Sequence, residues 1–251
     1  MSLLIDQIQA PPAWRRLAFI SDLHLGPDTP RTQLALQRAL QALDADALFI
    51  LGDLFEAWVG DDARELPWAQ AVVALLSTCA ATRPVYFQHG NRDFLLGPAM
   101  AEACGLQLLA EEVCLQAFGQ RVVLVHGDAQ CLEDRPYQAF RAQVRQPAWQ
   151  QGFLAQPLAT RLQLAAQMRD ASQQAQADGP YADLDAQACA ALLQRHAALT
   201  LLHGHTHRPA RHALPGGAQR LVLSDWDHDH GGTRGEVMLF SPQGWQRLPQ
   251  P

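Results

Sequence analysis

Near its C-terminus the chain reads Leu201-Leu202-His203-Gly204-His205-Thr206-His207-Arg208-Pro209. Neutral imidazole is the commonest nitrogen ligand for metals, so three histidines at alternate positions after an apolar run could hold an ion. In an extended segment, residues two apart point the same way. His205 and His207 are therefore expected to aim at one point, with Gly204 permitting a close backbone approach. A surface histidine cluster without a ligand is the alternative that this stretch alone leaves open.

Similar groups recur upstream, each after a short apolar run: Asp22-Leu23-His24, Gly52-Asp53, His89-Gly90-Asn91-Arg92-Asp93 and His126-Gly127-Asp128. Asp22 and His24 share the alternate spacing. Pooled, the donors are the carboxylates of Asp22 and Asp53, the imidazoles of His24, His126, His205 and His207, and the amide oxygen of Asn91. A mixed oxygen and nitrogen set without sulfur suits Mn2+, Fe2+ or Zn2+, and is too nitrogen-rich for Ca2+ or a typical Mg2+ site. Seven side chains are too many for one ion and fit two ions sharing a carboxylate. Such pairs sit roughly 3.5–4 Å apart and activate water for in-line attack at phosphorus. The alternative is that each residue is an isolated turn or cap.

Stepping outward from these residues, the apolar runs read as buried strands at Leu17–Ser21, Ala47–Leu51, Pro84–Gln88, Val113–Ala117, Arg121–Val125 and Leu199–His207, then 220–224, 236–240 and 245–248. Helical periodicity covers Thr32–Leu43 and Pro67–Ala81, and a short helix at Pro98–Cys104 is closed by Gly105. Open α/β sheets place ligands beyond the carboxyl ends of their strands, so tips far apart in sequence can converge. From Glu133 to about His196 the chain is rich in Ala, Gln and Arg. It reads as several helices broken near Pro147, Pro157 and Asp178-Gly179-Pro180. Residues 1–16 read as an extension, and 17–251 as one domain carrying this helical insertion of about 133–196.

The 251 residues are 48% hydrophobic and 18% charged, which predicts a globular fold. The net charge of −6 argues against a nuclease or other polyanion binder, so no nucleic-acid partner is expected. Five scattered cysteines without a C-x-x-C pair suggest buried thiols. No run reaches a membrane span, and the N-terminus lacks the pattern of a secretory signal, so a cytoplasmic location is expected. Asp225-Trp226-Asp227-His228-Asp229-His230 reads as a solvated loop after a strand.

The ordered set D-x-H, G-D, G-N-x-D, H-G-D and G-H-T-H resembles the calcineurin-like metallophosphoesterase superfamily. That resemblance implies an α/β sandwich of two mixed β-sheets flanked by helices, here with the insertion as a cap over the active site. It also implies that Asp22, His24, Asp53 and His207 hold one metal. Asp53, Asn91, His126 and His205 would hold the other, with Asp53 bridging. His203 falls outside the motif and is expected to be structural.

The broad superfamily has histidine where this chain has Arg92. Arginine does not donate a proton near neutral pH, but its fork grips phosphate oxygens. Arg92 therefore points to a phosphoanhydride, whose phosphate leaving group needs little protonation.

Residues 52–62, His89–Leu96 and His203–Pro209 are similar to the UDP-2,3-diacylglucosamine pyrophosphatases of lipid A biosynthesis, and the likeness extends through Tyr137-Gln138-Ala139-Phe140-Arg141. The resemblance implies hydrolysis of UDP-2,3-diacylglucosamine to UMP and 2,3-diacylglucosamine 1-phosphate with two Mn2+ ions per chain, by attack at the phosphorus nearer the uridine. It places catalysis at Asp53, Asn91, Arg92 and His205, and substrate contacts at Asn91, Arg92, Asp134, Ser172, Gln176, Gly179 and His205. Gln176 and Gly179 stand where the family favours Asn and Lys. The likeness also implies a peripheral place on the cytoplasmic face of the inner membrane, with no protein partner.

In the insertion, Leu154, Leu158, Leu162 and Leu164 are expected to line an acyl-chain cleft. Trp149 and Phe153 are expected to touch the membrane surface. Arg141, Arg145, Arg161 and Arg169 either meet anionic groups or form a solvated face. Two other readings are a different dinuclear phosphoesterase, such as a dinucleoside polyphosphate hydrolase or phosphodiesterase, and a non-catalytic scaffold with this fold. Arg92 and the long insertion count against the first, and the complete donor set against the second.

Overall fold

The computed structural model describes residues 4–177 and 183–250, with side chains described for 4–169 and 183–250. The first strands are β1 (Ile5–Gln9), β2 (Leu17–Ile20), β3 (Ala47–Leu51) and β4 (Val85–Gln88). Helices α1 (Pro30–Ala42), α2 (Pro67–Ala80) and α3 (Pro98–Cys104) are interleaved with them. Next come β5 (Leu106–Ala117) and β6 (Gln120–Leu124), then α4 (Arg135–Val144), α5 (Pro147–Leu154), α6 (Leu158–Ala177) and α7 (Ala186–Arg195). The chain closes with β7 (Thr200–His203), β8 (Ala210–Ala213), β9 (Gln219–Val222), β10 (Glu236–Ser241) and β11 (Gly244–Pro249).

The strands form a continuous mixed sheet in the order β11-β10-β2-β3-β4-β5-β6-β7-β9-β8. β5 belongs to both halves. Its start, Leu106–Leu108, pairs in parallel with β4, and its end, Val113–Ala117, pairs antiparallel with β6. The sheet curls there, and the inner faces of the halves meet in one core: Leu17, Phe19, Phe49 and Phe240 from one, Leu115, Val122, Leu124 and Leu221 from the other. The expected pair of sheets is thus a sandwich joined through one strand.

β2, β3 and β4 are buried along their full length, which explains their unbroken apolar runs. Their register places Phe19 opposite Phe49 and Phe49 opposite Tyr86. The rings stack at 4.9 and 4.7 Å, each pair contributing roughly 0.5–1.5 kcal/mol beyond its buried area. Helices α1 to α3 cover the outer face of this half, through Leu36, Leu40, Val72, Leu76 and Met100. α7 covers the other half, through Cys189, Leu192 and Leu193.

Several expectations are corrected. Ile5–Gln9 is a strand pairing in parallel with β5, with a bulge between Ile5 and Gln7, where an unstructured extension is expected. Its one buried side chain, Ile8, is too weak a period to read. β5 begins at Leu106, seven residues before the expected Val113, because half of it belongs to a different strand neighbour. β7 stops at His203, so His205 and His207 do not lie on an extended strand. The helical breaks fall as expected: α4 ends before Pro147 and α5 before Pro157. Asp178-Gly179-Pro180 lies outside the described residues.

Candidate metal centre at the strand tips

The loops that follow β2 and β3 are zipped together. Leu23 and His24 both donate their backbone N–H to the Asp53 carbonyl, at 2.8 and 3.0 Å, and Asp22 donates to the Gly52 carbonyl at 3.1 Å. The loop after β7 joins them. Its Gly204 N–H donates to the His126 carbonyl at 2.9 Å, and the His205 N–H donates to both Asp22 carboxylate oxygens, at 3.0 and 2.9 Å. Gly204 has to be glycine, since a Cβ there would run into the Asp22 carboxylate. A Cβ on Gly90 would strike the Asp53 carboxylate.

This zipping replaces the extended geometry expected from the alternate spacing. Asp22, His24, Asp53, His205 and His207 all have positive φ, between 49° and 65°. Non-glycine residues held there cost about 1–3 kcal/mol each and cluster where function requires them. The alternate residues do reach a common region, but through left-handed turns held by neighbouring loops.

The side chains form two overlapping groups. Potential ligand atoms of Asp22, His24 and His207 lie within 4.8 Å of one another, as do those of Asp22, Asp53 and His126. Asn91 Oδ1 lies 2.9 Å from both His126 Nε2 and His205 Nδ1. His126 Nε2 is also 3.6 Å from Asp53 Oδ2. All seven expected donors are therefore brought together, from the tips of β2, β3, β4, β6 and β7. Arg92 sits beside them, its backbone N–H donating to Asp53 Oδ1 at 2.8 Å.

The donor set fits a divalent cation. His126 directs its Nδ1–H to the Leu51 carbonyl at 2.8 Å, which leaves Nε2, the atom beside Asn91 Oδ1, as its metal-facing nitrogen. Likewise His24 Nε2 and His207 Nε2 face each other at 3.2 Å. Facing pairs of this kind share either a proton or a cation, and a divalent ion satisfies both pairs together with the carboxylates.

Burial lowers the His24 and His126 imidazoles, but the carboxylates of Asp53 and Asp22, with Glu56 at His24, outweigh it and raise both, so the carboxylates draw positive charge into the site. Burial raises the Asp22 carboxyl, but His207, His126 and His24 outweigh it and hold the group well below the usual carboxylate range. Burial, assisted by the charge of His126, pushes His205 down to about 3, so its imidazole is neutral. Asp93 goes the other way, raised to about 7 by burial and by the charge of Asp53. It accepts from the Gly90 and Leu54 N–H groups, at 2.8 and 2.7 Å, and so ties the Asn91 loop to the Asp53 loop.

Other expected residues fall into place unevenly. His203 is fully buried, and its Nδ1 lies 2.7 Å from the Gly204 carbonyl. Asp134 caps α4 by accepting the Tyr137 N–H at 3.0 Å, and the Tyr137 ring centre lies 6.2 Å from that of His205. The side chains of Ser172 and Gln176, and all of Gly179, lie outside the described residues. Leu154 and Leu162 are exposed, whereas Leu158 and Leu164 pack on the core. Phe153 is buried rather than at the surface, because it joins that core and stacks on Trp149 at 4.9 Å.

Arg141, Arg145 and Arg161 are engaged rather than forming a solvated face. Arg141 donates to Asp128 Oδ2 at 2.8 Å and pairs with Glu111 at 2.9 Å. Arg145 donates to the Gly90 carbonyl at 3.0 Å, and Arg161 is buried against Val59 and Asp62. Asp225–His230 is not simply a solvated loop either: Asp225 and Trp226 are buried, and the Asp229 carboxylate accepts from the N–H groups of Arg31 and Thr32 at the start of α1.

Sequence reasoning missed three supporting carboxylates, Glu56, Asp93 and Asp128. Asp128 accepts the Tyr137 hydroxyl at 2.6 Å as well as Arg141, which seats α4 against the His126 loop. All three lie within a few residues of ligands in sequence, Glu56 after Asp53, Asp93 after Asn91 and Asp128 after His126, and that proximity was the available signal.

Comparison with known proteins points to one family. The calcineurin-like phosphoesterase family model matches residues 15–209. A UDP-2,3-diacylglucosamine hydrolase of Stenotrophomonas maltophilia (strain K279a) is 45% identical over 242 residues, covering 90% of this chain and 95% of that protein. The Bordetella pertussis (strain Tohama I) protein of the same name is 44% identical over 245 residues, covering 94% and 93%. Among solved structures, a novel archaeal phosphodiesterase shares the fold with a TM-score of 0.50 at 7% identity, covering 93% of this chain and 99% of its own. With the strand-tip donors and these relatives together, the chain belongs to the UDP-2,3-diacylglucosamine hydrolase family of calcineurin-like phosphoesterases.

Proposed function

We propose that the protein hydrolyses the pyrophosphate bond of UDP-2,3-diacylglucosamine, releasing UMP and 2,3-diacylglucosamine 1-phosphate in lipid A biosynthesis. The observation that carries this reading is the convergence of seven donor side chains beside Arg92, in a chain so similar to hydrolases of that name. The reading includes two Mn2+ ions, one held by Asp22, His24, Asp53 and His207, the other by Asp53, Asn91, His126 and His205. When bound, such ions polarise phosphate oxygens and activate water for attack at phosphorus.

The chain's own residues do the rest. Asp22 and Asp53 supply the negative charge that concentrates cations at the tips. His205 stays neutral, so it offers a lone pair rather than a proton. Arg92 holds phosphate oxygens with its fork and leaves protonation aside, which suits a phosphate leaving group whose second pKa is about 6. Asp134, which the family likeness assigns to the substrate, caps α4 beside Tyr137, whose ring lies 6.2 Å from that of His205.

The insertion suits a lipid with two acyl chains. Phe140, Leu154, Leu162 and Met168 are exposed on α4 to α6, and apolar contact offers roughly 0.8 kcal/mol per buried CH2. No helix among the described residues is long and apolar enough to cross a membrane. We place the protein at the cytoplasmic face of the inner membrane as a peripheral protein. Co-sedimentation with anionic phospholipid vesicles tests that placement, and Mn2+-dependent UMP release tests the activity. Release of UMP together with the lipid 1-phosphate supports the reading; turnover of simple alkyl phosphates in preference to the diester pyrophosphate contradicts it.

A further inference from the structure

Glu56 lies in the loop after β3, anchored by its N–H to the Leu25 carbonyl at 3.0 Å. Its two carboxylate oxygens look in different directions. Oε2 lies 2.9 Å from His24 Nδ1, and Oε1 lies 3.8 Å from Arg92 Nη1. All three side chains are mostly shielded, at 22%, 18% and 21% exposure. The backbone reinforces the arrangement, since the Trp58 N–H donates to the Arg92 carbonyl at 2.9 Å.

We propose that Glu56 is a positioning residue that joins the metal ligand His24 to the phosphate-gripping Arg92. This deepens the proposed function and rests on its metal reading. A proton on His24 Nδ1, within ion-pair distance of Oε2, leaves the lone pair of His24 on Nε2, the atom that faces His207. Carboxylates behind ligating histidines set the tautomer and ring orientation in this way. The other oxygen limits where the Arg92 guanidinium can swing, so the fork is aimed before substrate arrives. One carboxylate thus sets both the ligand and the phosphate clamp.

The test measures Mn2+ binding to metal-stripped protein by calorimetry, and kcat/KM for UDP-2,3-diacylglucosamine in a double-mutant cycle. Glu56→Gln is expected to weaken Mn2+ binding by about 10–100-fold. The Glu56→Gln/Arg92→Ala double variant is expected to lose about tenfold less in kcat/KM than the product of the single losses. Glu56→Asp, which keeps the charge one methylene short, is expected to bind Mn2+ with intermediate affinity.

Wild-type Mn2+ affinity in Glu56→Gln, or losses that simply multiply, overturns the inference while leaving the metal reading intact. Loss of the cooperative melt of the stripped protein in both Glu56 variants also overturns it, making Glu56 a folding residue. Wild-type protein that takes up no Mn2+ defeats the metal reading itself, and this inference with it.

Discussion

His24 Nε2 and His207 Nε2 face each other at 3.2 Å although they are 183 residues apart in the chain. Each ring is brought there by a left-handed residue at a strand tip, with φ of 49° and 51°. A cation shared by the two rings offsets the backbone strain of the loops that present them. Metal binding should therefore stabilise the fold. At 100 times its dissociation constant, Mn2+ adds about 2.7 kcal/mol, which for a chain of this size raises Tm by roughly 5–11 °C. Thermal melts with and without Mn2+ after chelation check this, and an unchanged Tm is the contrary outcome.

Arg92 is placed to hold phosphate through a planar fork, which a lysine ammonium does not reproduce. Arg92→Lys is expected to lower kcat/KM for the lipid pyrophosphate by about 10–100-fold, in line with the roughly 1.5–3 kcal/mol of a hydrogen bond to a charged group. Mn2+ affinity should stay within about twofold of wild type, since the Arg92 contact to Asp53 is made by its backbone N–H. Steady-state kinetics beside calorimetry separates the two effects.

Asp128 joins the His126 loop to α4 through Tyr137 and Arg141. Removing one partner of a buried charge pair costs about 3–5 kcal/mol. Asp128→Ala is expected to lower Tm by roughly 6–20 °C. Hydrogen exchange across Arg135–Val144 should rise more than exchange in β2 and β3. Equal loosening of both regions contradicts the local role.

Asp183, just before α7, and Arg220 on β9 make a two-pronged pair, at 2.6 and 2.8 Å. Hydrogen bonds from Arg220 lower the Asp183 carboxyl from 3.8 to about 2. Its folded-state pKa is depressed, so its contribution is fully present above about pH 4 and fades as pH falls toward 2. The carboxylate is partly exposed, which makes the contribution modest. Denaturant melts should show a shallower loss of stability between pH 4 and pH 2 in Arg220→Gln than in wild type. Parallel curves would argue against the pair.

Much of the site was legible because β2, β3 and β4 are buried on both faces. Their apolar runs are unbroken, and the polar residues that end them stand out. The reason offered for the alternate spacing did not hold. Asp22 and His24, like His205 and His207, converge through left-handed turns set by bonds between loops, which no local period records. Glu56 and Asp128 escaped for a similar reason, since their partners His24 and Arg141 meet them only after the strands align. The burial of Phe153 depends on Trp149 and the core beneath, contacts that the sequence of α5 alone does not record. Ile5–Gln9 carries too little apolar pattern to reveal that it pairs with β5.

The most direct test is Mn2+-dependent hydrolysis of UDP-2,3-diacylglucosamine in detergent, run in 18O-labelled water, with Asp53→Asn as control. The expected products are UMP carrying the label and unlabelled 2,3-diacylglucosamine 1-phosphate, with a loss of at least about a thousandfold in kcat for Asp53→Asn, on the scale of removing a main electrostatic stabiliser. Absence of UMP release by the Mn2+-loaded wild-type protein would contradict the proposed activity.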